Sequence, residues 1–333
     1  MAYEVTNSFI EEFDSLVYSF LQQQGSKLIQ AVGHEQMDDN TKYIRPICIE
    51  AVDVTDIRGI TEYTPVMHDR RLLKSHGFVY PISLNEFDMA MRGGAPNPYQ
   101  LAMQTSSCCG EKIDEIIIQG MSGPIQTEST GVKTLSGANE VTSGVTKEKL
   151  VANYDKTQTI AWNDCTGGGN SNQDSIYVKG GLNTSKIYKA VQKLQSKQNY
   201  GPIICVCSSQ AALTLRADHL ATSSNFNDIH AFMAGAKNSY CGVSAFVTSE
   251  FVGKGKSKAR NFDGTYSTDD GADVEYAYVY CMNQIQLGVA MPLHLDKKTM
   301  EYKGMYGCIR MFEESVVRIE INKNPASDAA FVF

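Results

Sequence analysis

Residues 97–120 read NPYQLAMQTSSCCGEKIDEIIIQG and contain the start, the body and the stop of a long helix. Asn97 is a favoured N-cap, and Pro98 is favoured at the first helical position because its missing N–H would be unpaired there anyway. With Gly120 as the stop, the pattern predicts a helix over residues 98–119, about 33 Å long. The face predicted to pack in a core carries Ala102, Thr105, Cys109, Ile113, Ile116 and Ile117.

A second apolar stripe lies near the N-terminus, in residues 7–24. Its large side chains recur at helical spacing and Gly25 follows them, so the pattern predicts an amphipathic helix. The stripe packs either on the chain's own core or on a neighbouring molecule, and the sequence leaves both alternatives open. The residues of the stripe are Phe9, Phe13, Leu16, Val17, Phe20 and Leu21.

Residues 41–55 and 70–82 are predicted to be two strands joined by a polar, turn-rich segment. Pro46 lacks the N–H that a strand contributes to a ladder, which favours an edge position for the first strand. A hairpin of only two strands is marginally stable in water. We therefore expect this projection to lean on another surface.

The remainder of the chain predicts short strands and helices of a mixed α and β protein. Residues 121–181 are rich in Thr, Ser, Gly and Asn, which indicates short strands and long loops. Two further helices are predicted, one after Asn183 and one capped by Ser209. The predicted strands cover residues 203–207, 241–248, 276–282, 304–312 and 315–321.

The composition is that of a globular, acidic protein. Of 333 residues, 42% are hydrophobic and 20% are charged, which excludes a disordered chain. The formal net charge of −7 argues against a protein whose main task is to grip nucleic-acid phosphates. No apolar run predicts a transmembrane helix, and no signal peptide is evident. The nine cysteines are therefore expected to be reduced thiols.

Motifs for catalysis or metal binding fail on their spacing. A phosphate-binding loop ending in Gly255-Lys256-Ser257 would need glycine at position 250, where the chain has glutamate. The stretch from His34 to Asp38 lacks the second histidine of the zinc-protease pattern. No CxxC pair is present. We predict no catalytic residue, cofactor or metal, while a cysteine-dependent enzyme stays open as an alternative because its partners meet only in the fold.

Four segments carry a resemblance to a known family. Residues 22–28 (QQQGSKL) are similar to an opening motif QQKGSKL, and residues 64–71 (TPVMHDRR) to a hairpin motif TP…SRR, with Asp69 where serine is usual. Residues 112–117 (KIDEII) match K-x-D-x-x-I at the end of a long helix. Residues 307–319 resemble an ending of the form GATR…GVV-x-I. In this order the segments resemble the major capsid proteins of tailed bacteriophages with the Hong Kong 97-type fold.

The resemblance implies an α+β fold with the parts of that capsid type. It implies an N-arm, an extended E-loop hairpin, a peripheral (P) domain with a long spine helix, and an axial (A) domain. Residues 121–181 are expected to be an insertion exposed on the shell. The implied boundaries are 1–40 for the N-arm, 41–82 for the E-loop, 83–182 for the first part of the P domain with helix 98–119, 183–275 for the A domain, and 276–333 for the P-domain return strands and C-terminus.

The resemblance also implies the function. The chain would be a structural, non-enzymatic subunit that self-assembles as hexamers and pentamers into an icosahedral shell around double-stranded DNA, within the virion, after assembly in the host bacterial cytoplasm. Implied partners are a separate scaffolding protein, a portal protein, a decoration or cement protein, and DNA bound weakly without sequence specificity; no membrane is involved. The alternatives are an encapsulin-like protein compartment and the cysteine-dependent enzyme.

Six residues are predicted to contact neighbouring subunits. In the E-loop, Arg70 and Arg71 are expected to pair with acidic groups of a neighbour, and Lys74 lies in the same hairpin. A covalent cross-link through Lys74 is not predicted. In the N-arm the predicted contacts are Phe9, Phe13 and Phe20, with burial in the chain's own core as the alternative.

Overall fold

Three β-sheets and a long helix organise the chain in a computed structural model. The structure describes residues 7–44, 69–81, 98–129, 148–152, 154–161, 181–197, 201–216, 239–249, 274–296 and 301–322. The helices are α1 (Asn7–Gln24), α2 (Pro98–Ser122), α3 (Thr184–Ser196) and α4 (Ser209–Arg216). The strands are β1 (Gly33–Gln36), β2 (Thr41–Ile44), β3 (Asp69–Lys74), β4 (His76–Pro81), β5 (Ile125–Ser129), β6 (Glu148–Ala152), β7 (Thr159–Ile160), β8 (Ile203–Cys207), β9 (Ala245–Thr248), β10 (Val274–Cys281), β11 (Ile285–Asp296), β12 (Glu301–Arg310) and β13 (Val316–Asn322).

Helices α1 and α2 begin and end close to the predicted positions. The extent of α1 matches the prediction, whereas α2 continues three residues past the predicted end. Gly120 does not stop α2. Glycine occurs at this position because the helix lies against the backbone of Cys308, where an added Cβ would come within 2.6 Å of the carbonyl carbon. The stop is Gly123, whose N–H donates to the Gln119 carbonyl at 2.7 Å.

The helix-bearing sheet has the strand order β1-β11-β12-β4. α2 packs along β12, and α1 packs on α2. Strand β11, the longest, was not predicted from the sequence. Its large apolar residues alternate along the strand from Ile285 to Leu295, but the register shifts between Val289 and Met291 and again before His294, so burial does not follow that period of two.

The central sheet has the strand order β7-β13-β10-β8-β9. Every residue of β8 is buried, because one face of the strand packs against α3 and α4 and the other joins a core shared with α2. Both β10 and β13 belong to this sheet, while β11 and β12 belong to the helix-bearing sheet. The predicted boundary at residue 276 between A domain and returning P-domain strands therefore does not coincide with a boundary between sheets.

The loop sheet has the strand order β2-β3-β5-β6 and contains the base of the predicted E-loop. The prediction of one strand over residues 70–82 is wrong, because the chain changes sheet at Ser75: β3 pairs with β2 and β5, and β4 pairs with β12. The hairpin does lean on another surface, and that surface is β5 of the same chain. Most of the hairpin's first strand, Pro46 included, lies outside the described residues.

Two local predictions are also corrected. The strand predicted over residues 241–248 begins at Ala245, because Cys241 has a positive φ of 55° in a turn. The second short helix is capped by Ser208, whose Oγ accepts from the Ala211 N–H at 3.0 Å, one residue before the predicted cap at Ser209. The helix predicted after Asn183 is α3, and the Asn183 side chain caps it by accepting from the Lys186 N–H.

Candidate functional site

The four motif segments meet in space as two pairs. Residues 22–28 contact α2 beside residues 112–117, and the end of the 64–71 segment contacts the beginning of the 307–319 segment. The motifs thus mark two places where separate parts of the chain are joined. We call them the arm junction (Gly25, Ser26, Leu28, Gly110, Asp114) and the loop junction (Arg71, Gly307, Arg310, Glu313).

At the arm junction, a buried carboxylate holds the turn that follows α1. Asp114 is 5% exposed and accepts from the Ser26 hydroxyl at 2.5 Å, from the Leu28 N–H at 3.1 Å and from the Lys27 N–H at 3.3 Å. Backbone N–H groups near the turn thereby find an acceptor that the helical pattern does not supply. Burial raises the pKa of Asp114, outweighing the opposing effect of these hydrogen bonds and of Lys27.

Close approach of two backbones completes the arm junction. A Cβ added to Gly110 would lie 2.5 Å from the Gly25 carbonyl carbon and 2.7 Å from the Ser26 nitrogen. Backbone atoms cannot move aside as a flexible side chain can, so the spacing requires glycine on the helix. Leu28 is fully buried in the core beneath α2, next to this contact.

Helix α1 uses its apolar stripe within the chain. Phe13 is fully buried and packs edge-on against Tyr302, with ring centroids 6.1 Å apart; Phe20 contacts Tyr99 in the same manner at 4.9 Å. The Tyr302 hydroxyl donates to Asp14 at 2.8 Å. A neighbouring subunit would therefore meet the polar side of α1, and an interface role for the two phenylalanines stays a prediction.

At the loop junction, one carboxylate joins two guanidinium groups. Arg71 of β3 donates from Nη1 to the Arg310 carbonyl at 2.9 Å and to Glu313 Oε1 at 3.3 Å. Arg310 of β12 is fully buried, and its Nε and Nη2 lie 2.8 and 2.7 Å from Glu313 Oε2. Arg310 Nη1 donates to the carbonyls of Met121 and Gly123 at the end of α2. A cation at this position also complements the helix dipole.

Two further contacts complete the loop junction. A Cβ added to Gly307 would lie 2.8 Å from the Lys74 carbonyl carbon and 3.1 Å from the Ser75 Cα, so β12 carries glycine where the chain crosses between sheets. The Arg310 guanidinium also lies over the Tyr154 ring, 5.5 Å from its centroid.

The remaining predicted interface residues have different surroundings. Arg70 is half-buried and lies opposite Glu128 of β5 in the register of the loop sheet, and its buried Nε has no hydrogen-bond partner. Lys74 is exposed at the end of β3. The side chain of Phe9 lies outside the described residues. Sequence reasoning missed Glu313, whose signal is its position three residues after Arg310 in the turn before β13.

Four thiols of the described chain have raised pKa values. Burial raises the pKa of Cys109 and of Cys308 to about 12, and the pKa values of Cys205 and Cys281 are also raised. These thiols are protonated near neutral pH and are therefore poor nucleophiles. Within the described ranges, no group of three or more His, Cys, Asp or Glu could hold a metal ion. The zinc-like stretch begins in strand β1 rather than in a helix.

None of the helices in the described ranges has the length and apolar content needed to cross a membrane.

The fold resembles that of phage capsid subunits. The chain is similar to the capsid protein of cyanophage Pam1 (TM-score 0.53, 9% identity, 90% of this chain and 93% of that chain covered). It is also similar to that of cyanophage P-SCSP1u (TM-score 0.52, 9% identity, 87% and 86% covered). A comparison with curated proteins finds no match.

The sequence itself identifies the family. The family model described as phage capsid protein matches residues 5–322, nearly the whole chain. The chain belongs to the phage capsid protein family. The predictions of an α+β capsid fold and of a major capsid protein of a tailed phage are confirmed. The protein is located in the virion capsid.

Proposed function

We propose that this chain assembles as hexamers and pentamers into an icosahedral shell that encloses double-stranded DNA. The observation that carries the proposal is the family match over residues 5–322, which includes all three sheets and both junctions. The subunit acts by contact and not by catalysis. Assembly takes place in the host cytoplasm with a separate scaffolding protein and a portal protein, and a decoration or cement protein binds the finished shell.

The charge of the chain supports a container for DNA. With a net charge of −7, the subunit does not bind phosphates tightly, so the genome can be packaged and released. DNA contacts are accordingly weak and independent of sequence.

Arg70 is the strongest candidate for a contact between subunits. It lies beside Arg71 on β3, and its buried Nε has no hydrogen-bond partner. A carboxylate on a neighbour would satisfy the guanidinium group. Repeated around a capsomer, such pairs fix the register of the subunits, although each exposed pair contributes only about 0–1 kcal/mol.

The first experiment is electron microscopy of the purified chain, expressed alone and with the scaffolding protein of its phage. Uniform icosahedral shells, or tubes and sheets in the absence of scaffold, are expected. A monomer or dimer at every concentration would refute the proposal. Shells that protect protein cargo and no DNA from nuclease would favour the encapsulin-like alternative.

Removal of the charge tests the interface. Arg70→Met is expected to reduce shell yield severalfold while far-ultraviolet circular dichroism of the subunit is unchanged. Lys156→Met makes the same charge change at an exposed position on the body and is the matched control. Equal shell yields from both variants would remove Arg70 from the interface. Glutamate is unsuitable at either arginine, because it would place a second carboxylate opposite Glu128 or beside Glu313.

A further inference from the structure

The loop sheet is connected to the body of the chain by several crossings. Among the described elements, the chain passes between them at residues 37–40, at Ser75, at residues 123–124 and between β6 and β7. Two of these crossings are tied together, since the N–H and the hydroxyl of Ser75 both donate to the Asn40 carbonyl, at 2.9 and 3.1 Å. Among the described elements, the main contact of the loop sheet with the body is between β3 and β12.

Among the side chains that the structure describes, the apolar contact under the loop sheet is small. Its buried members are four residues, Met37, Leu73, Ile125 and Ile309, compared with eighteen in the core between α3, α4 and the central sheet. A small apolar contact is non-directional and sets distance better than angle. The direction of the loop sheet must then depend on polar groups with defined geometry.

The loop junction supplies that geometry. Glu313 receives Arg71 on one oxygen and Arg310 on the other, and Arg310 is in turn fixed to the last carbonyls of α2. Arg310 donates through two of its nitrogens, Nε to Glu313 and Nη1 to the carbonyls of Met121 and Gly123, so the plane of its guanidinium group is fixed. Arg71 reaches this fixed group through a single nitrogen, Nη1, which donates to both the Arg310 carbonyl and Glu313.

We propose that the Arg71–Glu313–Arg310 bridge is an angular lock that sets the direction in which the E-loop leaves the body of the subunit. When Arg71 is removed, the direction of the loop sheet varies and β3 and β5 open more often, while the rest of the chain keeps its structure. Arg71 is a positioning residue in this device. Its consequence for shell geometry rests on the proposed function; the lock within one subunit does not.

Hydrogen exchange of the isolated subunit tests the lock. Arg71→Met is compared with Arg70→Met, which removes the neighbouring guanidinium of the same strand and leaves the bridge intact. For Arg71→Met, amide protection in β3 and β5 is expected to fall about tenfold, with α2 and β8 unchanged. Arg70→Met should leave all four elements unchanged, and Arg71→Lys, which keeps the charge without the fork, should lie between.

Two outcomes would overturn the lock. Unchanged protection of β3 and β5 in Arg71→Met would show that the bridge restrains nothing. An equal loss of protection in β3, α2 and β8 would show that Arg71 merely supports global stability.

The diameters of assembled shells provide a second readout. Arg71→Met is expected to broaden the diameter distribution, because the direction of the E-loop varies among subunits. A distribution as narrow as that of the wild type would show that the lock has no role in curvature. If the wild-type chain forms no shells at all, the proposed function fails, and the exchange experiment still decides the lock.

Discussion

The arm junction and the loop junction join parts of one chain by opposite means. At the arm junction α1 buries a row of large apolar side chains against α2, and a single carboxylate, Asp114, finishes the turn. At the loop junction a small apolar cluster is combined with three charged groups, two of them cations. Burial contributes about 1.5–3 kcal/mol for each large apolar side chain but little directionality. The arm is therefore held mainly by buried apolar surface, and the loop by hydrogen bonds and ion pairs of defined geometry.

The largest effect should come from breaking the loop junction at its centre. Arg310→Met leaves Glu313 and the last carbonyls of α2 without their buried cation, and unpairing a buried ion pair reduces the free energy of unfolding by about 3–5 kcal/mol. Lys303→Met is the control, because its pairs with Asp296 and Glu301 are partly exposed and contribute about 0–1 kcal/mol. Urea unfolding measures both. Similar losses in the two variants would contradict the central place given to Arg310.

The arm junction should respond less to the loss of its carboxylate. Asp114→Ala leaves the Ser26 hydroxyl and two backbone N–H groups unpaired, which lowers the free energy of unfolding by about 1–3 kcal/mol. Relative to the wild type, hydrogen exchange in this variant should increase more in α1 than in the central sheet. Glu111→Ala, at an exposed position one turn earlier, is the control. The comparison fails if exchange rises in the loop sheet and not in α1.

Steric crowding at the arm junction should have a smaller net effect. Gly110→Ala forces its Cβ against the backbone of Gly25 and Ser26, and overpacking costs about 1–3 kcal/mol. The better helix propensity of alanine returns about 1 kcal/mol. Gly77→Ala is the control, because there the nearest atom to an added Cβ is Met305 Cγ at 3.6 Å. Calorimetry should show a lower Tm for Gly110→Ala alone; an unchanged Tm would mean that the helix and turn separate freely.

The smallest expected effect is the pH dependence of the arm junction. Burial raises the pKa of Asp114, so the folded chain holds this proton more tightly than the unfolded chain does. The stability contributed by the proton is complete below the unfolded pKa of about 3.9 and is lost as pH rises through the folded pKa. Asp114→Asn has no ionisable carboxyl group at this position, so its stability does not show this loss.

The difference in urea midpoint between the wild type and Asp114→Asn measures this effect. The urea midpoint of the wild type should fall relative to that of Asp114→Asn as the pH is raised from about 4 towards 7. A shift in the opposite direction would mean that the hydrogen bonds to Asp114 outweigh its burial.

The sequence predicted the elements whose signals are local. α1 follows from its apolar stripe, α3 from the spacing of its apolar residues after Asn183, and β8 from an uninterrupted apolar run, because each depends on neighbours within a few residues. The four family motifs identified the fold class before any of their contacts were known. The sequence therefore marked Asp114, Arg71 and Arg310 as motif residues. It did not predict which of the motif segments contact each other.

The sequence by itself determined the class of the protein and the position of its long helix, because periodicity and caps are properties of contiguous residues. Tertiary structure alone decided that Ser75 divides one apparent strand between two sheets and that Gly120 continues a helix because β12 lies against it. It also decided that Arg71 meets Glu313, 242 residues away along the chain. Such contacts depend on which surfaces the fold brings together, and a long separation leaves no periodic signal in the sequence.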